Sequence, residues 1–323
     1  MRKCLPISVI VPTYNRADYL EETLSAILSQ QDQDLELIVV DDFSSDDSKN
    51  VLTSFKKKHP EIVLVFLDDN LGESNAVNVG WTLATNQYIS IINSDDPPHE
   101  NWLQEMITGI ECNPGFGFYY PNRLVIDKNG NTLRKEALKD WSAKILYENL
   151  VPIASAGIVI NRKDLPTNFE PRDTNVTFPS DLIQMFRLGL LVDGKRVINA
   201  WGTWREHSDS ISGNVRGTNL AESFKHSVGN WLKQNDDQIK HLSRKKFRDF
   251  YLHAHYFLLL RQGLGIIKAF KYLERKSMIK KVARDPSIAI LGTYLTLKNV
   301  IKRLKHSAQI LFKSKVLKKQ IWE

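Results

Sequence analysis

The chain of 323 residues carries 44 Lys and Arg against 37 Asp and Glu, a formal charge of +7, with 42% hydrophobic and 25% charged residues, the make-up of an ordinary globular protein. Two cysteines, Cys4 and Cys112, are too few for a disulfide framework or a Cys-based zinc site and point to a reducing compartment; no window reaches the roughly 18 consecutive apolar residues of a membrane-spanning helix. The charge is unevenly divided: residues 1–214 hold 20 basic against 30 acidic residues, or −10, and residues 215–323 hold 24 against 7, or +17, so an acidic domain precedes a basic tail suited to an anionic surface.

The opening MRKCLPISVIVPTYN has a basic start, but its apolar part is short and broken by Pro12, so it reads as a first strand and not as a leader. That strand, ISVIV at 7–11, is followed by a helical pattern over about 18–30, and LELIVV at 35–40 by one over about 46–58. IVLVFL at 62–67 is followed by a helix over about 74–85, and YISII at 88–92 by one starting near His99. Short all-apolar strands alternating with helices predict a parallel sheet covered on both faces, an α/β doubly wound arrangement. Beyond about residue 115 the pattern loosens, with a turn signal at DKNGN (127–131), an apolar SAGIVI (155–160) and a helix from Ser180 to about Leu191. From about residue 215 the sequence reads as helical and basic.

In a doubly wound sheet, ligands bind beyond the carboxyl ends of the strands. The residues standing there are 12–15 (Pro-Thr-Tyr-Asn), 41–45 (Asp-Asp-Phe-Ser-Ser), 68–72 (Asp-Asp-Asn-Leu-Gly) and 93–96 (Asn-Ser-Asp-Asp), all of which should open on one rim. Asp95 and Asp96 in such a turn suit a hard divalent cation that prefers oxygen ligands and bridges to phosphate. The plainer alternative is Asp96 as a helix N-cap with Pro97 at the first helical position, a role that leaves Asp95 without one. Asp41 and Asp42 meet the same choice, although Ser45 or Asp46 is better placed to cap the helix that follows. Asn70 and Gly72, taken alone, are only a turn.

In combination these stretches say more. PTYNR (12–16), VVDDFSSDD (39–47), DNLGESNAVNVGW (69–81) and YISIINSDDPPHENWL (88–103), followed by FPSDLIQMFRLG (178–189) and WREHSDSIS (204–212), resemble in order and spacing the family-2 glycosyltransferases of the GT-A fold. The resemblance covers about residues 5–212. It implies a GT-A domain over residues 1–214, a Rossmann-like, mostly parallel sheet flanked by helices, with a helical C-terminal extension over 215–323. It also implies transfer of a sugar, with inversion, from a nucleotide-diphosphate donor to a hydroxyl of a glycan or lipid-linked acceptor, in the setting of bacterial surface-glycan synthesis.

By position, the resemblance gives Thr13, Tyr14 and Asp42 contacts to the nucleoside, with Pro12, Asn15, Asp41, Asn70, Gly72, Asn78, Asn93, Ser94 and Arg205 completing the donor site. Asp95 matches the last Asp of the family's Asp-x-Asp motif and, with His207 of the Arg-x-His motif, implies a divalent metal, Mn²⁺ or Mg²⁺. Asn93 stands where the first Asp is usual, and an amide can hydrogen-bond a ribose hydroxyl but brings no charge. Asp181 matches the base that takes the acceptor proton, the role shared with inverting glycosidases. Its plainer alternative is a first-turn Asp behind a Ser180 N-cap, and the two are compatible because a helix N-terminus helps keep a carboxylate ionised. The usual Glu-Asp pair is Ser180-Asp181 here. Trp81, Trp102 and Trp201 read as packing residues.

The basic segments at 265–283 and 297–319 carry apolar residues at helical spacing, the composition of helices lying on anionic membranes. A packed extension with a solvated basic face is the alternative; no nucleic-acid signature is present. The expected location is cytoplasmic, or peripheral at the cytoplasmic membrane face, and a homo-oligomer stays open. Competing functions are a non-catalytic sugar-nucleotide or glycan-binding module, favoured by Asn93, and a nucleotidyltransferase, for which PTYNR is a poor phosphate loop.

Overall fold

The computed structural model describes residues 5–30, 35–141, 156–175 and 180–207, all within one compact unit, Met1–Phe250. The expected basic extension over 215–323 lies outside the described residues.

The first half follows the predicted alternation. β1 (Ile7–Thr13), α1 (Ala17–Leu28), β2 (Leu35–Asp41), α2 (Ser48–Lys58), β3 (Val63–Phe66), α3 (Glu73–Leu83) and β4 (Tyr88–Ile91) come in turn, and β1 pairs in parallel with β2 on one side and β4 on the other, with β3 beyond β2. Successive side chains of a strand face opposite sides of a sheet, and both sides of these strands are apolar. Ile7, Val9 and Val11 of β1 with Leu37 and Val39 of β2 join α1, α2 and the helix over Trp102–Cys112 in one core. Ile10, Ile38 and Val40 point the other way, onto Ala76 and Val77 of α3. α3 lies so close to β1 that a Cβ on Gly80 would sit 2.4 Å from Ile10 Cγ2, so a side chain there would force helix and sheet apart.

The second half departs from the purely parallel expectation. α4 (Trp102–Cys112), β5 (Phe118–Ile126), β6 (Thr132–Glu136), β7 (Val159–Asn161), α5 (Ser180–Leu191) and β8 (Gly194–Arg205) complete the described elements. β7 runs antiparallel to both β4 and β5, β6 pairs antiparallel with the end of β5, and β8 runs parallel to β5. The result is one eight-stranded mixed sheet, ordered β3-β2-β1-β4-β7-β5-β6 with β8 on β5. β5 is absent from the sequence reading for a physical reason. It is buried along nearly all its length, so it shows no alternation, and Pro121 interrupts it where its register with β8 slips between Tyr120 and Asn122.

The helix expected near His99 begins instead at Trp102, with Asn101 preceding it. Trp102 is buried, and its indole N–H donates to the carbonyl of Gly157 at 2.9 Å, the packing role expected of it.

Candidate active site

Parallel pairing carries the ends of β1 to β4 to one edge, and the loops that follow are locked to each other by short polar contacts. Asn15, with φ of 52° in the left-handed region, turns its side-chain oxygen to the backbone N–H groups of Ser45 and Asp46 at 2.8 and 3.3 Å. Asp41 accepts from the backbone N–H and hydroxyl of its neighbour Ser44 at 3.1 and 2.5 Å. Asp42 accepts the N–H groups of Leu71 and Gly72, both at 2.8 Å, and Gly72 reaches this geometry at φ 90°. Burial first, then the charges of Asp41 and Glu73, hold the Asp42 carboxyl above its ordinary range despite those two bonds.

The Asn93-Ser94-Asp95-Asp96 turn separates its two carboxylates. Asp96 is no helix cap, since α4 starts six residues later; it is buried, accepts the backbone N–H of Arg205 at 2.7 Å and the amide of Asn93 at 2.8 Å, and so ties the end of β8 to the end of β4. Burial and the charge of Asp95 push its carboxyl up to about 8. Asp95 faces the cleft, where its Oδ2 meets Arg16 Nε at 3.2 Å and His207 Nε2 at 3.1 Å.

Arg205, the last residue of β8, and His207 just beyond it both meet the ring of Tyr19: the guanidinium lies 5.0 Å from its centroid and the imidazole 5.2 Å. The Arg205 side chain is only 1% exposed. Its Nε donates to the carbonyl of Asp95, its Nη1 to that of Lys128, and its Nη2 to the Glu22 carboxylate, at 2.8, 2.9 and 2.7 Å. All three nitrogens thus have partners within the fold, while Arg205 remains among the residues that line the cleft.

A third group comes from α5 and the segment before it. Ser180 is the first residue of α5, and its hydroxyl donates to Glu73 at 2.7 Å. Glu73 also pairs with Arg172 Nη2 at 3.2 Å, so a carboxylate from α3 reaches the residue beside Asp181. Arg172 is held from its other end by Asn78, whose amide exchanges two hydrogen bonds with the Arg172 backbone at 3.0 and 3.1 Å. The guanidinium is buried, and its Nε and Nη1 have no hydrogen-bond partner among the described residues.

These three groups enclose one cleft of about 420 Å³, within the roughly 300–1,000 Å³ usual for small-molecule sites. Of the expected residues, Pro12, Thr13, Tyr14, Asp42, Asn70, Gly72, Asn93, Ser94, Asp95, Asp181 and Arg205 line it. Asn15, Asp41, Asn78 and His207 are not among the lining residues: the first three brace its loops, and His207 stands behind Asp95. The lining also includes Arg16, Glu73, Arg172 and Trp204, which the sequence reading assigns no role. Arg16, Glu73 and Trp204 lie inside the quoted motifs, whereas nothing local marks Arg172.

The donors suit a divalent cation in part. Asp95 Oδ2 and His207 Nε2 are 3.1 Å apart, and neighbouring ligands of an octahedral ion, each about 2.1 Å from it, lie about 3 Å from one another. No cluster of three or more His, Cys, Asp or Glu exists among the described residues, so such an ion would draw further oxygens from a diphosphate and water.

Comparison with known proteins gives a consistent result. The family model described as glycosyl transferase family 2 matches residues 8–183. The putative teichuronic acid biosynthesis glycosyltransferase TuaG of Bacillus subtilis is 34% identical over 101 residues, 31% of this chain and 40% of that protein. The GalNAc(5)-diNAcBac-PP-undecaprenol beta-1,3-glucosyltransferase of Campylobacter jejuni is 36% identical over 132 residues, 40% of this chain and 41% of that protein. The chain therefore matches about two fifths of the length of these relatives. Among solved structures, S. aureus TarS 1–349 in complex with UDP-GlcNAc superposes with a TM-score of 0.54 at 19% identity, over 76% of this chain and 73% of that one. At that identity the likeness speaks for the fold, which is GT-A.

Proposed function

Because the chain belongs to glycosyl transferase family 2, we propose that its cleft transfers a sugar, with inversion, from a nucleoside-diphosphate donor to a hydroxyl of a growing surface glycan. The observation that carries this reading is the meeting of Asp42, Asp95 and Asp181, from three separate parts of the chain, on one cleft. The names of the relatives support the setting, since they include teichuronic acid and amylovoran biosynthesis and a glucosyltransferase for a PP-undecaprenol-linked glycan. TarS, which shares the fold, binds UDP-GlcNAc and UDP.

In this reading Tyr14, 44% exposed at the mouth, offers its ring face to the base, and Asp42 faces the nucleoside from a position fixed by Leu71 and Gly72. Asp181 accepts the proton of the acceptor hydroxyl as that oxygen attacks the anomeric carbon. The bond from that carbon to the donor's phosphate oxygen breaks, and its electron pair leaves with the nucleoside diphosphate. Asp95 and His207 would hold a divalent cation, which when bound supplies positive charge opposite the developing phosphate charge. The Arg172 guanidinium adds fixed positive charge at the cleft, and through Glu73 it braces Ser180 at the start of the helix that carries Asp181. A lipid-linked acceptor would give the basic C-terminal residues a reason to seek an anionic bilayer.

The test is a screen of nucleoside-diphosphate sugars for release of free nucleoside diphosphate, with the anomeric configuration of the product read by NMR. The expected outcome is metal-dependent release and an inverted product, with Asp181→Ala losing 10²-fold or more in rate while still binding nucleotide. Nucleotide binding without turnover across donors and acceptors would instead favour a binding module, and a retained configuration would remove Asp181 from its role.

A further inference from the structure

Among the described residues, Arg16 is a cleft-lining cation that points its charge at the carboxylate of the proposed cation ligand. Its Nε donates to Asp95 Oδ2 at 3.2 Å, the same oxygen that His207 Nε2 approaches to 3.1 Å. Its Nη1 donates to the carbonyl of Asn15 at 3.0 Å, and the Arg16 and Asp95 side chains are only 21% and 15% exposed, so the pair is held in place and poorly screened.

The neighbouring groups cannot outbid it. Asn93 brings no charge, and its amide N–H₂ is turned to Asp96. The Asp96 oxygens are taken by Asn93 and by the Arg205 backbone. Of the two carboxylates in this turn, Asp95 is the one that meets His207, and the oxygen that does so is already shared with a guanidinium.

We propose that Arg16 is a resident counter-cation that competes with the divalent ion for Asp95, keeping the free protein's affinity for that ion low until a donor diphosphate arrives. The inference rests on Asp95 and His207 being the cation's ligands. Its logic is electrostatic: the guanidinium already offsets the charge of Asp95 and occupies Oδ2, the oxygen nearest His207, so its presence disfavours a divalent ion shared by Asp95 and His207. A diphosphate in the cleft changes the balance, because its oxygens offer Arg16 new acceptors and offer the ion further ligands. Nucleotide and cation should therefore bind the full chain cooperatively, and the cooperativity should depend on Arg16.

The test measures Mn²⁺ binding to the full chain directly, by the EPR signal of free Mn²⁺ and by calorimetry, without nucleotide. Arg16→Gln removes the charge and leaves intact the backbone N–H of residue 16, which donates to Ser48 Oγ. It should tighten Mn²⁺ binding by roughly tenfold or more, the size expected for losing a charge-assisted bond. Arg16→Lys keeps the charge and should stay closer to the parent. Adding UDP should tighten Mn²⁺ binding more in the parent than in Arg16→Gln. Unchanged or weaker Mn²⁺ binding in Arg16→Gln, with a parent-like melting temperature, overturns the proposal. Asp95→Asn separates the two readings: if it binds Mn²⁺ as the parent does, the cation site itself is misassigned, whereas if it loses the ion the role of Arg16 is judged on its own variants.

Discussion

The two parts of the cleft are assembled in different ways. Where the loops after β1 and β2 meet, the polar groups that hold them are close in sequence: Asp41 to Ser44 three residues on, Asn15 to Ser45 thirty on, and Arg16 to Ser48 thirty-two on. Around Asp181 and β8 the partners are far apart: Asn78 to Arg172 by 94 residues, Glu73 to Ser180 by 107, and Glu22 to Arg205 by 183. The proposed nucleoside side is thus a nearly local construction, while the side that carries the proposed base exists only once the sheet has closed. Damage on that second side should reach the fold and the chemistry together.

The largest expected effect comes from Arg205→Met, which removes the donors to the Asp95 and Lys128 carbonyls and the partner of Glu22. Urea denaturation should show a loss of about 2–4 kcal/mol, and a cost below about 0.5 kcal/mol would break the distinction between the two parts. Glu73→Ala should follow, because it leaves the Arg172 charge buried without its partner. Turnover should fall about 10–100-fold with a lowered melting temperature, and the double change with Arg172→Met should cost less stability than the two singles added, since each removes the other's partner.

A smaller effect sharpens the comparison at Asn78. Asn78→Ala removes two hydrogen bonds to Arg172 and should cost about 1–2 kcal/mol without altering nucleoside-diphosphate affinity in a calorimeter; a tenfold loss of affinity at unchanged stability would return Asn78 to the donor site.

The smallest effect lies on the local side, at Asp46, which accepts from the backbone N–H groups of Ala17 and Ser48 at 3.1 and 2.9 Å. Burial opposes ionisation there, but the bonds from Ser48 and Ala17 outweigh it and hold the carboxyl below its usual range. A depressed carboxyl adds stability above its unfolded pKa, near 4, and loses it as pH falls through the folded value. Asp46→Ala should therefore cost at most about 0.5 kcal/mol at pH 7, solvent screening at this exposed site weakening the effect, and the difference should shrink below about pH 4 in denaturation curves run against pH.

The legibility of the chain follows the same division. The first four strands and three helices are plain in the apolar runs, because a strand buried on both faces between helices leaves an unmistakable pattern. The strand-end positions of Asp42 and Asp95 follow from that pattern, and Asp181 from its motif. Arg172 carries no such mark: a lone arginine in a loop looks solvated until Glu73 and Asn78 are found around it. Asp95 and Asp96 are alike in sequence and both line the cleft, yet Asp95 meets Arg16 and His207 whereas the buried Asp96 is held by the Asn93 amide and the Arg205 backbone.

What the sequence determined by itself is the order of elements, the edge on which the strand ends gather, and the set of carboxylates delivered there, since these depend on periodicity and on neighbours within a few dozen residues. What only the tertiary structure decided is which of those side chains face the cleft and which are consumed in holding it. That choice is made by hydrogen-bond partners a hundred or more residues away, because a buried polar group must find its partner wherever the closed sheet brings one within reach.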